Sequence, residues 1–272
     1  MNIPFLKNIC LFKKKNAVPV DKSTYLLTPD APFAIAEAYR MLRTNIMYSA
    51  GQEGTPIYAI TSAMPHEGKS INCSNIAISF AHAGKRVLLI DGDMRNPTVA
   101  PLFKESSKNG LSEYLASVVP EPNFIPSKYE NLTLMVAGHK PPNPAELLGN
   151  KRIAELFEIA REKFDYIFID LPPVNMISDA TILAKDISGY LFVVDSGHTH
   201  SGAVKRALDS IRMVGGSVIG FALNRVNPKK SDGALYGYKS YGYSRRYYKN
   251  YYNRYNTKNS DVETEEQETD AE

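Results

Sequence analysis

The chain has 272 residues, of which 43% are hydrophobic and 22% charged, with a net charge of +3 and two cysteines. That composition suits a globular protein with a sizeable core. The small net charge makes no case for a nucleic-acid partner, and two cysteines cannot staple a disulfide scaffold, so a reducing compartment is expected.

In chain order, residues 1–30 read as a leader without regular structure. Its apolar runs, in MNIPFLKNICLFKKKNAVPV, are too short for a signal-peptide core, and no stretch of the sequence approaches the ~20 apolar residues of a membrane span. A cytoplasmic protein is therefore expected. Lys13, Lys14 and Lys15 can touch anionic lipid, although a solvated charge run is the simpler reading.

From residue 31 to 227, apolar β-rich runs alternate with helical patterns. The expected strands are 57–61, 87–91, 132–136, 166–170, 190–195 and 218–224, and helices are expected at 70–83, 151–163 and 201–214. Near-continuous apolar strands such as VLLID and YIFID suit burial on both faces. The alternation implies an α/β fold with a mostly parallel sheet and helices on both faces. From 228 to 272 the apolar period is gone. Residues 229–256 are rich in Gly, Tyr, Lys, Arg, Asn and Ser, and TKNSDVETEEQETDAE closes the chain with strong acidity. A disordered tail is expected there. Nine of the seventeen tyrosines fall in 236–255, at Tyr236, Tyr238, Tyr241, Tyr243, Tyr247, Tyr248, Tyr251, Tyr252 and Tyr255.

Between the first strand and the first of those helices lies TSAMPHEGKS, residues 61–70, in the strand–loop–helix setting of a phosphate-binding loop. Gly68 lets backbone approach a phosphate, Lys69 reaches the β/γ-phosphates, and Ser70 can ligate Mg²⁺. Ala63 stands where the general pattern has its first glycine. The candidate nucleotide-binding residues are Met64, Pro65, His66, Glu67, Gly68, Lys69, Ser70 and Ile71. Two apolar runs then end in carboxylates: LLIDGDMRNP at Asp91 and Asp93, and IFIDLPP at Asp170. Strand-end carboxylates sit at the edge where open α/β sheets bind ligands. Three of them beside a phosphate loop can hold Mg²⁺, and one can accept a hydroxyl proton. Capping of the following turn is the alternative for each. Arg95 can face phosphate or a carboxylate. Asn224, at the end of the last strand, can read a purine base or serve as an ordinary turn residue. His198 and His200 have no cysteine nearby and read as a polar loop rather than a metal site.

The phosphate loop followed by LLIDGDMRNP and IFIDLPP resembles the Walker A, A′ and B set of the bacterial tyrosine kinases, which share a MinD/ParA-like P-loop NTPase fold. EAYRMLR is similar to that family's E-x-x-R-x-x-R motif at Glu37, Arg40 and Arg43, GHKPPNPAELL (138–148) to another family segment, and the tail tyrosines to its autophosphorylation cluster. The resemblance implies a kinase domain over 31–227 that takes ATP and Mg²⁺ and phosphorylates the tail tyrosines. Lys69, Asp91, Asp93 and Asp170 would be its catalytic set, with Asp93 the foremost proton acceptor. It further implies a homo-oligomeric ring, an octamer by resemblance, built through Glu37, Arg40 and Arg43. The implied partners are a membrane adaptor of the polysaccharide co-polymerase type, which would recruit the kinase to the inner face of the membrane, and a cognate phosphotyrosine phosphatase. The implied role is control of capsular or extracellular polysaccharide synthesis and export. The competing reading is a MinD/ParA-like ATPase that positions a partner at the membrane. Those ATPases carry a signature lysine five residues before the loop lysine, where this chain has Met64. For the tail, an RNA-binding or sticky low-complexity segment is the alternative.

Overall fold

The computed structural model describes residues 21–49 and 54–226. Lys13, Lys14, Lys15 and the tail tyrosines lie outside the described residues. The chain divides into two units, 1–224 and 225–272, and every helix and strand of the described residues belongs to the first.

After a 3-10 turn at Lys22–Tyr25 come α1 (Phe33–Ser49), β1 (Ile57–Ser62), α2 (Lys69–Ala81), β2 (Val87–Asp91), α3 (Val99–Phe103), α4 (Leu111–Leu115), β3 (Ile125–Pro126) and β4 (Leu132–Met135). Then follow α5 (Pro144–Leu148), α6 (Arg152–Lys163), β5 (Tyr166–Asp170), α7 (Asp179–Ile182), β6 (Gly189–Asp195), α8 (Ser201–Met213) and β7 (Val218–Asn224). Each expected strand is present, with ends shifted by at most a residue. The first of the expected helices stops at Ala81 rather than 83, because the chain turns over at Gly84 with φ of +75°. The two-residue β3 is not among the expected strands; it is too short to carry a period.

The seven strands pair in the order β3-β4-β2-β5-β1-β6-β7. All these pairings are parallel except that of β3 with β4. Alternation across the sheet explains the unbroken apolar runs. Ile57, Leu88, Ile90, Ile167 and Ile169 face one core, shared with Tyr114, Leu156, Phe157, Ala207 and Ile211 from α4, α6 and α8. Tyr58, Ile60, Val87, Leu89 and Phe168 face the other, shared with Ile46, Ile76, Phe80, Val99 and Leu102 from α1, α2 and α3. Helices therefore cover both faces, as β-rich runs without polar alternation require. No helix of the described residues is long and apolar enough to cross a membrane. Because the long strands run parallel, their C-terminal ends share one rim, and that rim carries every candidate side chain on the sheet.

Candidate active site

The loop after β1 turns back so that α2 begins at Lys69. Gly68 caps the helix with φ of +89°, a backbone region that glycine takes without strain, and an added Cβ would lie 2.2 Å from Asn224 Nδ2. Ala63 departs from the general pattern without penalty. It is absent from the positive-φ positions, and its methyl is fully buried in the core that faces α8. The unpaired N–H groups of the first turn of α2 and its dipole favour an anion at this mouth.

The register of the sheet decides which carboxylates meet there. Asp91 and Asp170 are direct partners across β2 and β5, one strand spacing apart, ~4.8 Å. Lys69 reaches over them. Its ammonium lies 3.1 Å from Asp170 Oδ1, 3.0 Å from Asp93 Oδ2 and 3.1 Å from Ser70 Oγ. Burial disfavours the charge on Lys69, but Asp170 and then Asp93 outweigh it and hold its pKa above the ordinary value. Burial pushes the Asp91 carboxyl up, and the neighbouring Asp170 adds to the shift, while backbone N–H groups and Lys69 oppose it. Asp170 is raised chiefly by its own burial.

The structure thus brings Lys69, Ser70, Asp91, Asp93 and Asp170 together, with distinctions among them that spacing does not reveal. Both Asp91 oxygens bond to backbone: Oδ1 accepts from Asp93 N at 3.2 Å, and Oδ2 from Thr98 N and Val99 N at 2.9 and 2.8 Å. For Asp91 the capping alternative is therefore realised, at the start of α3. Asp93 divides its oxygens, Oδ1 accepting the Asn96 N–H at 3.0 Å and Oδ2 meeting Lys69, so it caps its turn as well, whereas Asp170 meets Lys69. Thr98, which the motifs do not single out, donates its hydroxyl toward Asp170 Oδ2 at 3.4 Å. Arg95 faces a carboxylate, one of its two expected partners: it forks onto the fully buried Asp179 at 2.8 and 3.0 Å.

Other expected site residues have partners within the fold. Met64 N–H donates to Glu67 Oε2 at 3.0 Å. The Glu67 carboxylate therefore serves the loop itself. Asn224 Nδ2 donates one of its two hydrogens to the Glu67 carbonyl at 2.9 Å, which fixes the amide beside the phosphate loop. Glu37 and Arg40 pair on the surface of α1, one turn from Arg43. Its guanidinium donates to the Ser79 carbonyl at 2.6 Å and so binds α1 to α2. His198 lies 3.2 Å from Asp195 Oδ1, as a polar loop residue. Thr98, Asp179 and Thr199 carry no sequence signal, since their partners lie 72, 84 and 132 positions away.

The donor set suits a hard cation. Ser70 Oγ and the oxygens of Asp93 and Asp170 converge on Lys69, and Mg²⁺ is commonly held by one or two carboxylates together with substrate phosphates. Among the described residues no group of three His, Cys, Asp or Glu side chains forms a cage of its own.

Residues 59–213 match the model of a family described as an AAA domain. Putative tyrosine-protein kinase CapB of Staphylococcus aureus is 35% identical over 205 residues, which cover 75% of this chain and 90% of that protein. Tyrosine-protein kinase YwqD of Bacillus subtilis is 35% identical over 204 residues, 75% of this chain and 85% of the relative. Among solved structures, the chimerical protein CapA2B2 superposes with a TM-score of 0.70 at 32% identity, over 75% of this chain and 90% of that one. The kinase domain of the Escherichia coli tyrosine kinase ETK superposes with a TM-score of 0.69 at 32% identity, over 75% and 80%. The cell-division ATPase MinD of Pyrococcus furiosus, at 21% identity and a TM-score of 0.54 over 65% and 75%, is alike in fold alone.

Proposed function

This chain belongs to the family of bacterial tyrosine-protein kinases, and from that premise we propose that it transfers the γ-phosphoryl group of ATP to tyrosines of its own tail, between subunits. The observation that carries the reading is the Lys69 ammonium held between Asp93 and Asp170 at the mouth of a helix-capped loop.

Phosphoryl transfer requires positioning and charge neutralisation more than covalent help. N–H groups of residues 65–71 and the Lys69 ammonium would hold the phosphates of ATP. Ser70, Asp93 and Asp170 would hold Mg²⁺, with Asp91 behind them, and the ion would neutralise charge on the transferring group. Asp91 orders the 91–99 turn through its three backbone bonds and so aims Asp93. Asp93 would take the proton of the incoming phenol, whose pKa of about 10 makes it a poor nucleophile at neutral pH. The acceptors would be Tyr236, Tyr238, Tyr241, Tyr243, Tyr247, Tyr248, Tyr251, Tyr252 and Tyr255.

The wider assignment follows from the family. The kinase would act in the synthesis and export of capsular or extracellular polysaccharide, recruited to the inner membrane face by an adaptor and reset by a phosphatase. Glu37 and Arg40, paired on α1, are with Arg43 the candidates for contact between subunits. A MinD-like positioning ATPase is the weaker reading, because that likeness is of fold alone and Met64 replaces the signature lysine.

The test incubates Lys69→Met with ATP and Mg²⁺, alone and mixed with a second chain that keeps its active site but carries Phe at all nine tail tyrosines. Lys69→Met alone should stay folded and gain no phosphotyrosine. In the mixture its tail should be phosphorylated in trans. Activity of the folded single variant would refute the site. A tail that stays unmodified in the mixture would refute transfer between subunits.

A further inference from the structure

We propose that Thr199 is a positioning residue for the phosphate loop and acts through Glu67. The inference rests on the reading of residues 61–70 as the loop that binds ATP phosphates. Glu67 is only 4% exposed, and an acidic side chain is an unexpected occupant of such a loop: a carboxylate turned toward the mouth would repel the very phosphates the loop is meant to bind.

The structure turns it away. Glu67 Oε2 accepts the Met64 N–H at 3.0 Å, and Oε1 accepts the Thr199 hydroxyl. The Thr199 oxygen in turn accepts the Asp195 N–H at 3.0 Å, so that lone pair is occupied and the proton is aimed at Glu67. The Glu67 carbonyl accepts Asn224 Nδ2 at 2.9 Å. One loop residue is therefore gripped from its own loop, from the exit of β6 and from the exit of β7.

Of these contacts, the Thr199 bond is the one that keeps Oε1 satisfied in a place where little water reaches. Without it a buried carboxylate oxygen loses its donor, and such an oxygen either bears a desolvation cost or swings out to solvent. The nearest opening is the phosphate mouth. Loss of the hydroxyl should then do two things at once: loosen the turn that Met64 closes, and bring negative charge toward the phosphates. Both weaken nucleotide binding before the transfer step, and neither touches the reacting atoms.

The experiment measures ATP and ADP affinity by titration calorimetry on the full chain, together with KM for ATP and kcat. Thr199→Val, which keeps the shape and removes the hydroxyl, should weaken nucleotide binding about tenfold and raise KM to match, with kcat within about twofold. Thr199→Ser should restore wild-type affinity. In a Glu67→Ala background, Thr199→Val should have no further effect, since the group it restrains is gone. Unchanged affinity in folded Thr199→Val overturns the proposal. So does a loss of equal size in the Glu67→Ala background, or failure of Ser to restore binding. If Thr199→Val does not fold, the Ser variant and the Glu67→Ala pair still decide. Absence of nucleotide binding by the wild-type chain would instead strike the reading of residues 61–70.

Discussion

Glu113 shows how much a single side chain can organise without appearing in any motif. Its carboxylate accepts from Gly110 N at 2.8 Å, Ser112 Oγ at 3.0 Å and His139 N at 2.9 Å, and it also meets the His139 ring. Gly138 must be glycine beside it: φ is +86°, and a Cβ would lie 2.0 Å from Glu113 Oε2. Burial opposes the Glu113 charge, but the backbone and ring of His139 prevail and bring its pKa from the ordinary 4.5 to about 2. A depressed carboxyl pKa adds stability that is fully present above the unfolded value near 4.5 and is lost as pH falls through the folded value near 2. Glu113→Gln should therefore be less stable than wild type at pH 7, by about 1–3 kcal/mol. The gap should narrow between pH 4.5 and 2, as followed by urea unfolding across that range. A gap independent of pH would contradict the assignment. GHKPPNPAELL is recognisable as a segment, but the carboxylate that organises it stands 26 positions before its histidine, and linear spacing cannot show such pairs. Lys69, Asp93 and Asp170 are legible for the opposite reason: each sits directly at a strand end or a loop–helix junction, where chain order and spatial order coincide.

At the scale of elements, α1 is bound to α2 by polar contacts as much as by apolar ones. Ile46 is buried, and Tyr39 and Leu42 pack on the same core, while Met41 and Tyr48 stand exposed at 62% and 87%. Tyr39 donates its hydroxyl to Asn72 Oδ1 at 3.1 Å, and Asn72 Nδ2 donates to the Gly68 carbonyl at 3.0 Å, so the helix touches the phosphate loop through one intermediary. Arg43 adds its bond to the Ser79 carbonyl. The three motif positions of α1 therefore divide by role. Arg43→Ala should destabilise the folded chain by about 1.5–3 kcal/mol, the range for a hydrogen bond from a charged group. Glu37→Ala and Arg40→Ala should change stability by less than ~0.5 kcal/mol, as exposed pairs do, and shift the oligomeric state instead. Denaturant melts and size-exclusion profiles of the same three variants separate the two effects. Equal destabilisation by all three would contradict the division. The three-residue spacing of Glu37, Arg40 and Arg43 suits one side of a helix but does not identify its partner, because apolar residues on both sides of α1 blur its buried face. The sheet is easier to read: buried strands carry their signal in composition, and only β3, two residues long, escapes.

For the molecule as a whole, a parallel sheet gathers residues far apart in sequence onto one rim, and each of them meets the neighbour that the register dictates. The strand assignments make that rim foreseeable; the hydrogen-bond partners on it are not, because they depend on how the turns close. Lys69 is the residue whose position reaches furthest. Its ammonium is engaged with Asp93 and Asp170. While it is, Asp93 Oδ2 is taken by that ammonium and Oδ1 by the Asn96 N–H at 3.0 Å, so neither oxygen is open to a phenol. The phosphates of ATP offer Lys69 a competing set of anions, and a move toward them would uncover Asp93 Oδ2. That engagement predicts a compulsory order of addition, with nucleotide leading and tyrosine following. In steady-state kinetics, an unreactive tail peptide with Phe for Tyr should inhibit uncompetitively with respect to ATP, and a competitive pattern would mean that tyrosine can enter first.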